Sequence, residues 1–257
     1  MKQCFLVISL LALMTVSCGI FDASPSAKRD TIPQSLALSP DVTLFAGGAV
    51  KMMGMDFFPS SFKIVAGGKT IYLDPLQTDD TNTADYIFIT HEHTDHLSIA
   101  DIKKLMKADT VIVCTKTSVE PLAGLTVKVV KPGDILKFDG FECEVVPSYT
   151  TRPGFLGMIS HPKDSLQAGY ILTFGKVRIY TMGDTEFIPE MKSISNITAA
   201  LVPIFFCMDI PEAANAVNTI KPKIAVPMHY IMGQSNAQKF AELADQDIEV
   251  KTLTLEK

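Results

Sequence analysis

Residues 85–98 read DYIFITHEHTDHLS. The run from Asp85 to Thr90 has the length and the β-branched and aromatic content of a buried strand. Directly after it come His91, His93, Asp95 and His96, in a chain that has only five histidines. A helix start follows. Ser98 stands as N-cap, Asp101 lies in capping-box position, and Ile99, Ile102, Leu105 and Met106 share one apolar face. This junction constrains the fold because it puts a polar cluster at the C-terminal end of a buried strand. On an extended end His91 and His93, two residues apart, point to the same side. Asp95 and His96 turn with the chain toward the helix. Imidazoles with carboxylates suit Zn²⁺, with Mn²⁺ or Fe as competitors. A solvated loop at a helix start accounts for an aspartate, but not for three histidines.

The remaining pattern predicts one α/β domain over residues 41–257. SFKIVAGGKTIYLDP carries two β-rich runs around Gly67-Gly68, a hairpin signal. Further strands are expected at 110–114, 127–130, 141–146, 169–174, 177–182, 200–206 and 223–230. Helices are expected at 211–220, with Pro211 in the first turn, and from Ser235 to about Ala244. Hairpins in the front half, then strand–helix alternation, imply two mixed sheets packed together with helices on the outer faces, an αββα sandwich. Strand order does not follow from the sequence.

The N-terminus is of another kind. MKQCFLVISLLALMTVSCG has one Lys and an apolar run from Phe5 to Val16, the length of a secretory h-region. Ser17-Cys18 resembles a bacterial lipoprotein box, which implies a signal peptide at 1–17 and lipid on Cys18. Residues 18–40 are polar with Ser and Pro and predict a flexible spacer. The expected location is exported and membrane-anchored, on the periplasmic or cell-surface side. Ordinary signal cleavage and an uncleaved anchor are the alternatives. Cys114, Cys143 and Cys207 are odd in number and set in apolar surroundings, which predicts core packing rather than disulfides. A net charge of −5 without a Lys/Arg cluster argues against nucleic acid as partner. A small-molecule substrate and the membrane, through the lipid, are the partners expected.

Elsewhere a lone histidine is more often structural, and a lone aspartate after glycine is more often a turn residue. His161 lies in SHPKD, Asp184 in IYTMGDTEF and His229 in VPMHYIMG. Together they bring the set to five His and two Asp, enough for two metal ions. HEHTDH resembles the His-x-His-x-Asp-His motif of the metallo-β-lactamase superfamily. The SFKI hairpin ending in YLDP, VPSYT, HPK before GYIL, RIYTMGDTEFIPEM and KPKIAVPMHY resemble its lactonase-like branch, related to the L-ascorbate-6-phosphate lactonases. The resemblance implies that His91, His93 and His161 hold one ion and that Asp95, His96 and His229 hold the other. Asp184 would bridge them.

It also implies a dinuclear hydrolase, most simply with zinc. A metal-bound hydroxide would attack an ester, lactone, amide or phosphodiester. Asp95 would orient the nucleophile, and Tyr149, Thr185 or Tyr230 would steady the oxyanion. Glu92 and Thr94 occupy variable motif positions and receive no chemistry. Pro203–Met208 stands where this branch has a Gly-rich loop. Phe205 and Phe206 there, with the apolar 153–160, predict either an apolar wall beside the metals or plain core. A non-catalytic exported metal-binding module, and an iron-dependent redox or sulfur enzyme of the same fold, are the competing readings.

Overall fold

The structure is a computed structural model. It describes residues 21–22, 35–47, 50–52, 55–58, 60–76, 78, 80–153, 157–231 and 235–253. The signal segment 1–17 and Cys18 lie outside the described residues.

Two seven-stranded mixed sheets face each other. The first has the order β10 (Val127–Val130), β9 (Met106–Thr115), β8 (Ala84–Ile89), β7 (Lys69–Leu73), β6 (Phe62–Ala66), β3 (Val42–Ala46), β2 (Ser35–Ser39). From β10 to β7 neighbours are parallel, and from β7 to β2 they are antiparallel. The second sheet runs β11 (Ile135–Phe138), β12 (Phe141–Pro147), β13 (Ala168–Phe174), β14 (Val177–Thr181), β15 (Ala199–Pro203), β16 (Ile224–Met228), β18 (Glu249–Val250). It is antiparallel up to β14 and parallel beyond.

Period-2 alternation assigns each strand face to a layer. In β8, Tyr86 and Phe88 join the core between the sheets. Ile87 and Ile89 point the other way, into a cluster with Ile102 and Leu105 of the helix Ile99–Leu105. That helix therefore covers the outer face of the first sheet. Its cap is the expected one, with Ser98 Oγ accepting from Asp101 N at 3.3 Å. The helices Ile210–Ile220 and Asn236–Leu243 bury Ala213, Val217, Ile220, Ala237 and Phe240 against the second sheet. Asp209 caps the former by accepting from Glu212 N at 2.8 Å. The αββα sandwich is the architecture the sequence predicts.

Four details differ from expectation. Ser35–Ser39 is a strand paired with β3, so the folded region begins before residue 41 and the polar stretch is not all spacer. Beta-strand 15 ends at Pro203, because Phe206 turns left-handed (φ 65°) and Cys207 N closes a tight turn onto Phe205 O at 2.9 Å. Strand 224–228 ends at His229, also left-handed (φ 55°). Beyond it Tyr230–Ile231 pairs with Phe57–Phe58 of Met55–Phe58 in a separate small sheet with Val50–Met52 and Phe21–Asp22. Ser235 does not cap the last helix with its side chain.

Candidate metal centre

The parallel strands of both sheets deliver their C-terminal ends to one edge, where open α/β sheets ordinarily bind ligands. Beta-strand 7 leads to Asp74, β8 to His91–His96, β14 to Asp184, β15 to the 204–208 turn and β16 to His229. His161 and Gln167 precede β13, which runs the opposite way and so begins at the same edge.

Two groups of ligand atoms converge there. His91, His93 and His161 form one, and Asp95, His96, Asp184 and His229 the other; within each group the atoms lie within 4.8 Å of one another. The three rings of the first group form a near-equilateral triangle, with centroids 4.7, 4.7 and 4.9 Å apart. In the second, His229 Nε2 lies 3.2 Å from Asp95 Oδ2 and 3.3 Å from Asp184 Oδ2. Asp184 faces both groups: its Oδ2 is 3.6 Å from His161 Nε2 and its Oδ1 is 3.2 Å from His96 Nε2. All seven residues named from the sequence are thus brought together.

Outer partners decide which ring nitrogen faces inward. Thr90 Oγ1 donates its one proton to Asp74 Oδ2 (2.7 Å), so it accepts from His91 Nδ1 (3.0 Å). His96 Nδ1 donates to Asp74 Oδ2 at 2.9 Å. His161 Nδ1 donates to Gln167 Oε1 at 2.8 Å, and the Gln167 amide is oriented by giving its Nε2 protons to Glu92 at 3.3 Å. His229 Nδ1 donates to the carbonyl of Phe205 at 3.3 Å. Four histidines therefore hold Nδ1 protonated and turn Nε2 to the centre; His91 and His161 present Nε2 lone pairs there, while His96 and His229 Nε2 face the Asp184 and Asp95 carboxylates at 3.2 Å.

These inward-facing atoms fit a cation. His91 Nε2, His96 Nε2 and Asp184 Oδ1 are buried and have no hydrogen-bond partner among the described residues. Unpartnered buried acceptors are costly unless something positive binds them. The spans also suit ions with bonds of about 2.0–2.3 Å.

Electrostatics couple the imidazoles to the carboxylates: burial lowers His96 and His229, but Asp184 and Asp95 prevail and raise both. Burial pushes Asp184 up, but the fields of His229, His96 and His161 prevail and hold its carboxyl well below the usual range. Burial likewise opposes ionisation of Asp95, yet His96 and His229 bring it down to about 2. Both carboxylates are charged at neutral pH. Burial, with His96 as neighbour, pushes His91 well below its ordinary value, so it is neutral and ready to donate its lone pair. His93 is lowered by burial and by His161.

Asp74, Thr90, Gln167 and Glu92 were not assigned roles by the sequence. The signal was present for Asp74, a charged residue after an apolar strand in YLDP. It is fully buried and sits in the left-handed region (φ 41°). Glu92 acts through Gln167, which no local motif shows.

The structure gives Tyr149 a different place from the one expected. Its hydroxyl donates to Glu190 Oε2 at 2.8 Å and accepts from Lys163 Nζ at 3.3 Å. Its backbone is tied to Thr185, whose hydroxyl donates to Tyr149 O at 3.0 Å. Neither hydroxyl has a hydrogen bond to the ligand groups among the described residues: Thr185 ties Tyr149 to the 184–187 segment, and the Tyr149 hydroxyl ties it to Glu190 and Lys163. Tyr230 is buried against Phe58.

The two readings of the apolar turn divide between its phenylalanines: Phe205 packs against the core, whereas Phe206 does not. Phe57 and Phe206 lie 5.1 and 5.6 Å from the His229 ring, and Phe206 is 62% exposed, which is not core packing. Residues 154–156 of the second apolar segment lie outside the described residues. Cys114 and Cys143 are buried in the core as predicted; Cys207 instead approaches Asp184 and His161.

Comparison with known proteins matches this geometry. Residues 57–229, which contain both ligand groups, match the β-lactamase superfamily domain. A UPF0173 metal-dependent hydrolase of Archaeoglobus fulgidus is 29% identical over 183 residues, 65% of this chain and 78% of the relative. A UPF0173 protein of Pyrococcus abyssi is 32% identical over 188 residues, 70% of this chain and 84% of the relative. A solved protein of Parabacteroides distasonis, provisionally assigned as a metal-dependent hydrolase, superposes with TM-score 0.72 at 32% identity, covering 86% of this chain and 97% of its own. The chain belongs to the metallo-β-lactamase superfamily and is a metal-dependent hydrolase related to the UPF0173 proteins.

Proposed function

We propose that the centre holds two divalent ions, most simply zinc, and hydrolyses a carboxylic ester or lactone in a small molecule. The observation that carries this reading is the pair of ligand groups that share Asp184, with histidine Nε2 atoms set inward. His91, His93 and His161 hold one ion, Asp95, His96 and His229 the other, and Asp184 spans both.

When bound, such ions act as Lewis acids and lower the pKa of a shared water from 15.7 to roughly 7. The protein supplies the rest. Asp74, Thr90 and Gln167 lock the imidazoles. Asp95, the more exposed of the two site carboxylates at 21%, orients the attacking water by accepting its hydrogen bond. The aromatic wall of Phe57 and Phe206 excludes water on one side. It favours an ester or lactone over an amide, which is more strongly hydrated, and over an anionic phosphodiester, because their polar groups are costly to desolvate there. This reading agrees with the lactonase-like character of the motifs. Lipid on Cys18 would hold the domain at a membrane surface on the exported side.

The test is elemental analysis of the full-length protein purified without chelator, followed by an ester, lactone, amide and phosphodiester panel. About two zinc ions per chain and turnover of esters or lactones are expected. One ion or none after zinc is supplied sinks the dinuclear reading. Two iron ions with no hydrolysis favour the redox reading.

A further inference from the structure

The 204–208 turn brings a thiol to the centre. Cys207 Sγ, His161 and the Asp184 carboxylate form a third group of ligand atoms, again within 4.8 Å of one another. This is not a cysteine that happens to lie nearby. The turn is held at three points. Cys207 N donates to Phe205 O at 2.9 Å, Arg152 Nη2 donates to Cys207 O at 3.2 Å, and Phe206 takes the left-handed conformation that re-aims the chain. Left-handed backbone is strained for a non-glycine residue, and such strain gathers at functional sites. Arg152 is itself anchored by Glu186 at 3.0 Å and by Glu212.

A second observation points to a ligand at this place. Asp184 is 4% exposed; its Oδ2 lies 3.6 Å from His161 Nε2, and its Oδ1, on the His96 side, has no hydrogen-bond partner among the described residues. A carboxylate so buried, with a thiol and an imidazole beside it, is a donor set for a thiophilic cation.

We infer that Cys207 is a further metal donor, binding as thiolate to an ion shared with His161 and Asp184, and that it biases this position toward zinc or cobalt over manganese. The inference rests on the dinuclear reading above and adds a ligand to it. The chemistry balances simply: the thiol gives its proton to solvent and the sulfur lone pair forms the metal–sulfur bond. In the protein alone, burial and the Asp184 and Asp95 carboxylates push the Cys207 thiol well above its ordinary value. A bound cation inverts that local field. Soft sulfur selects zinc over the harder manganese, which prefers oxygen.

The test uses the full chain with Cys4→Ser and Cys18→Ser, which leaves Cys207 as the one thiol outside the buried core among the described residues. After loading with zinc, X-ray absorption is expected to show a sulfur scatterer at about 2.3 Å. After loading with cobalt, the near-ultraviolet thiolate-to-cobalt band is expected. Adding Cys207→Ser should abolish both signals and lower the zinc-over-manganese preference by roughly 10- to 100-fold. Two bound ions with only nitrogen and oxygen scatterers overturn the inference and leave the hydrolase reading intact. A sulfur signal that survives Cys207→Ser also overturns it. Failure to bind any ion overturns the dinuclear reading itself, and the stoichiometry distinguishes that result from the others. If Cys207→Ser does not fold, the zinc spectrum of the Cys207-containing protein still decides.

Discussion

The Nδ1 of His96 lies 2.9 Å from Oδ2 of Asp74, and both side chains are wholly buried. Burial drives the Asp74 carboxyl upward, while His96 and Thr90 pull it down. What matters for the site is that the acceptor at Oδ2 keeps the proton of His96 on Nδ1. Asp74→Asn places an NH₂ there at nearly unchanged volume. The His96 proton is then expected on Nε2, facing Asp184, and metal affinity should fall by roughly 10- to 100-fold. Competition with a chelator measures this, and unchanged affinity would refute the proposed tautomer lock.

Asp184 faces both ligand groups. Asp184→Ala is expected to reduce the metal content below two per chain. Hydrolysis should fall by at least about 100-fold, more than loss of an outer partner costs. The far-ultraviolet circular dichroism should persist, because the sheets do not depend on this side chain. His93→Ala should behave alike. Full activity in either variant removes that residue from the centre.

Gly183 sits just before Asp184 with φ 65°, and a Cβ there would lie 2.9 Å from Ser148 Oγ and 3.2 Å from Ala168 O. Both backbone conformation and space therefore require glycine. Gly183→Ala is expected to cost roughly 1–2 kcal/mol from φ alone, to lower the melting temperature, and to weaken metal binding by displacing Asp184. Thermal unfolding with and without added zinc separates the two effects.

Glu186 accepts from Thr151 N, Thr151 Oγ1, Arg152 N and Arg152 Nε at 2.7–3.0 Å, and its side chain is 10% exposed. Burial opposes its ionisation, but these donors prevail and lower its pKa. The stabilisation is therefore fully present above the unfolded glutamate value of about 4.3. It is lost as pH falls through the lower folded value. Glu186→Ala should cost roughly 1.5–3 kcal/mol at neutral pH. The gap from the unsubstituted protein should narrow as the pH drops below about 4.3. A gap that stays constant down to strongly acid pH would contradict the assigned cause.

Cys18→Ala is expected to leave the protein without lipid and release it from the membrane fraction. Fractionation and mass spectrometry of the N-terminal peptide check this. Persistent membrane association of the variant counts against the lipid anchor.

Local chemistry was enough to find the elements and most of the ligands. The apolar strand ending in His91-Glu92-His93-Thr94-Asp95-His96, the Ser98 cap and the Gly67-Gly68 hairpin are short-range features, and each forms as its own residues dictate. His161, Asp184 and His229 could be proposed because the motifs around them resemble the superfamily pattern. Only the tertiary structure could decide what surrounds them. Asp74 reaches His96 across 22 positions, Gln167 meets Glu92 across 75, and Cys207 nears His161 from another strand's end. Such partners come together because parallel strands deliver their ends to one edge, a consequence of strand order that local periodicity does not encode. The same holds for Tyr149 and Phe206. Sequence suggested catalysis for the first and left the second open between core and an apolar wall; long-range packing gave the first to Glu190 and Lys163 and the second to the rim of the candidate metal centre.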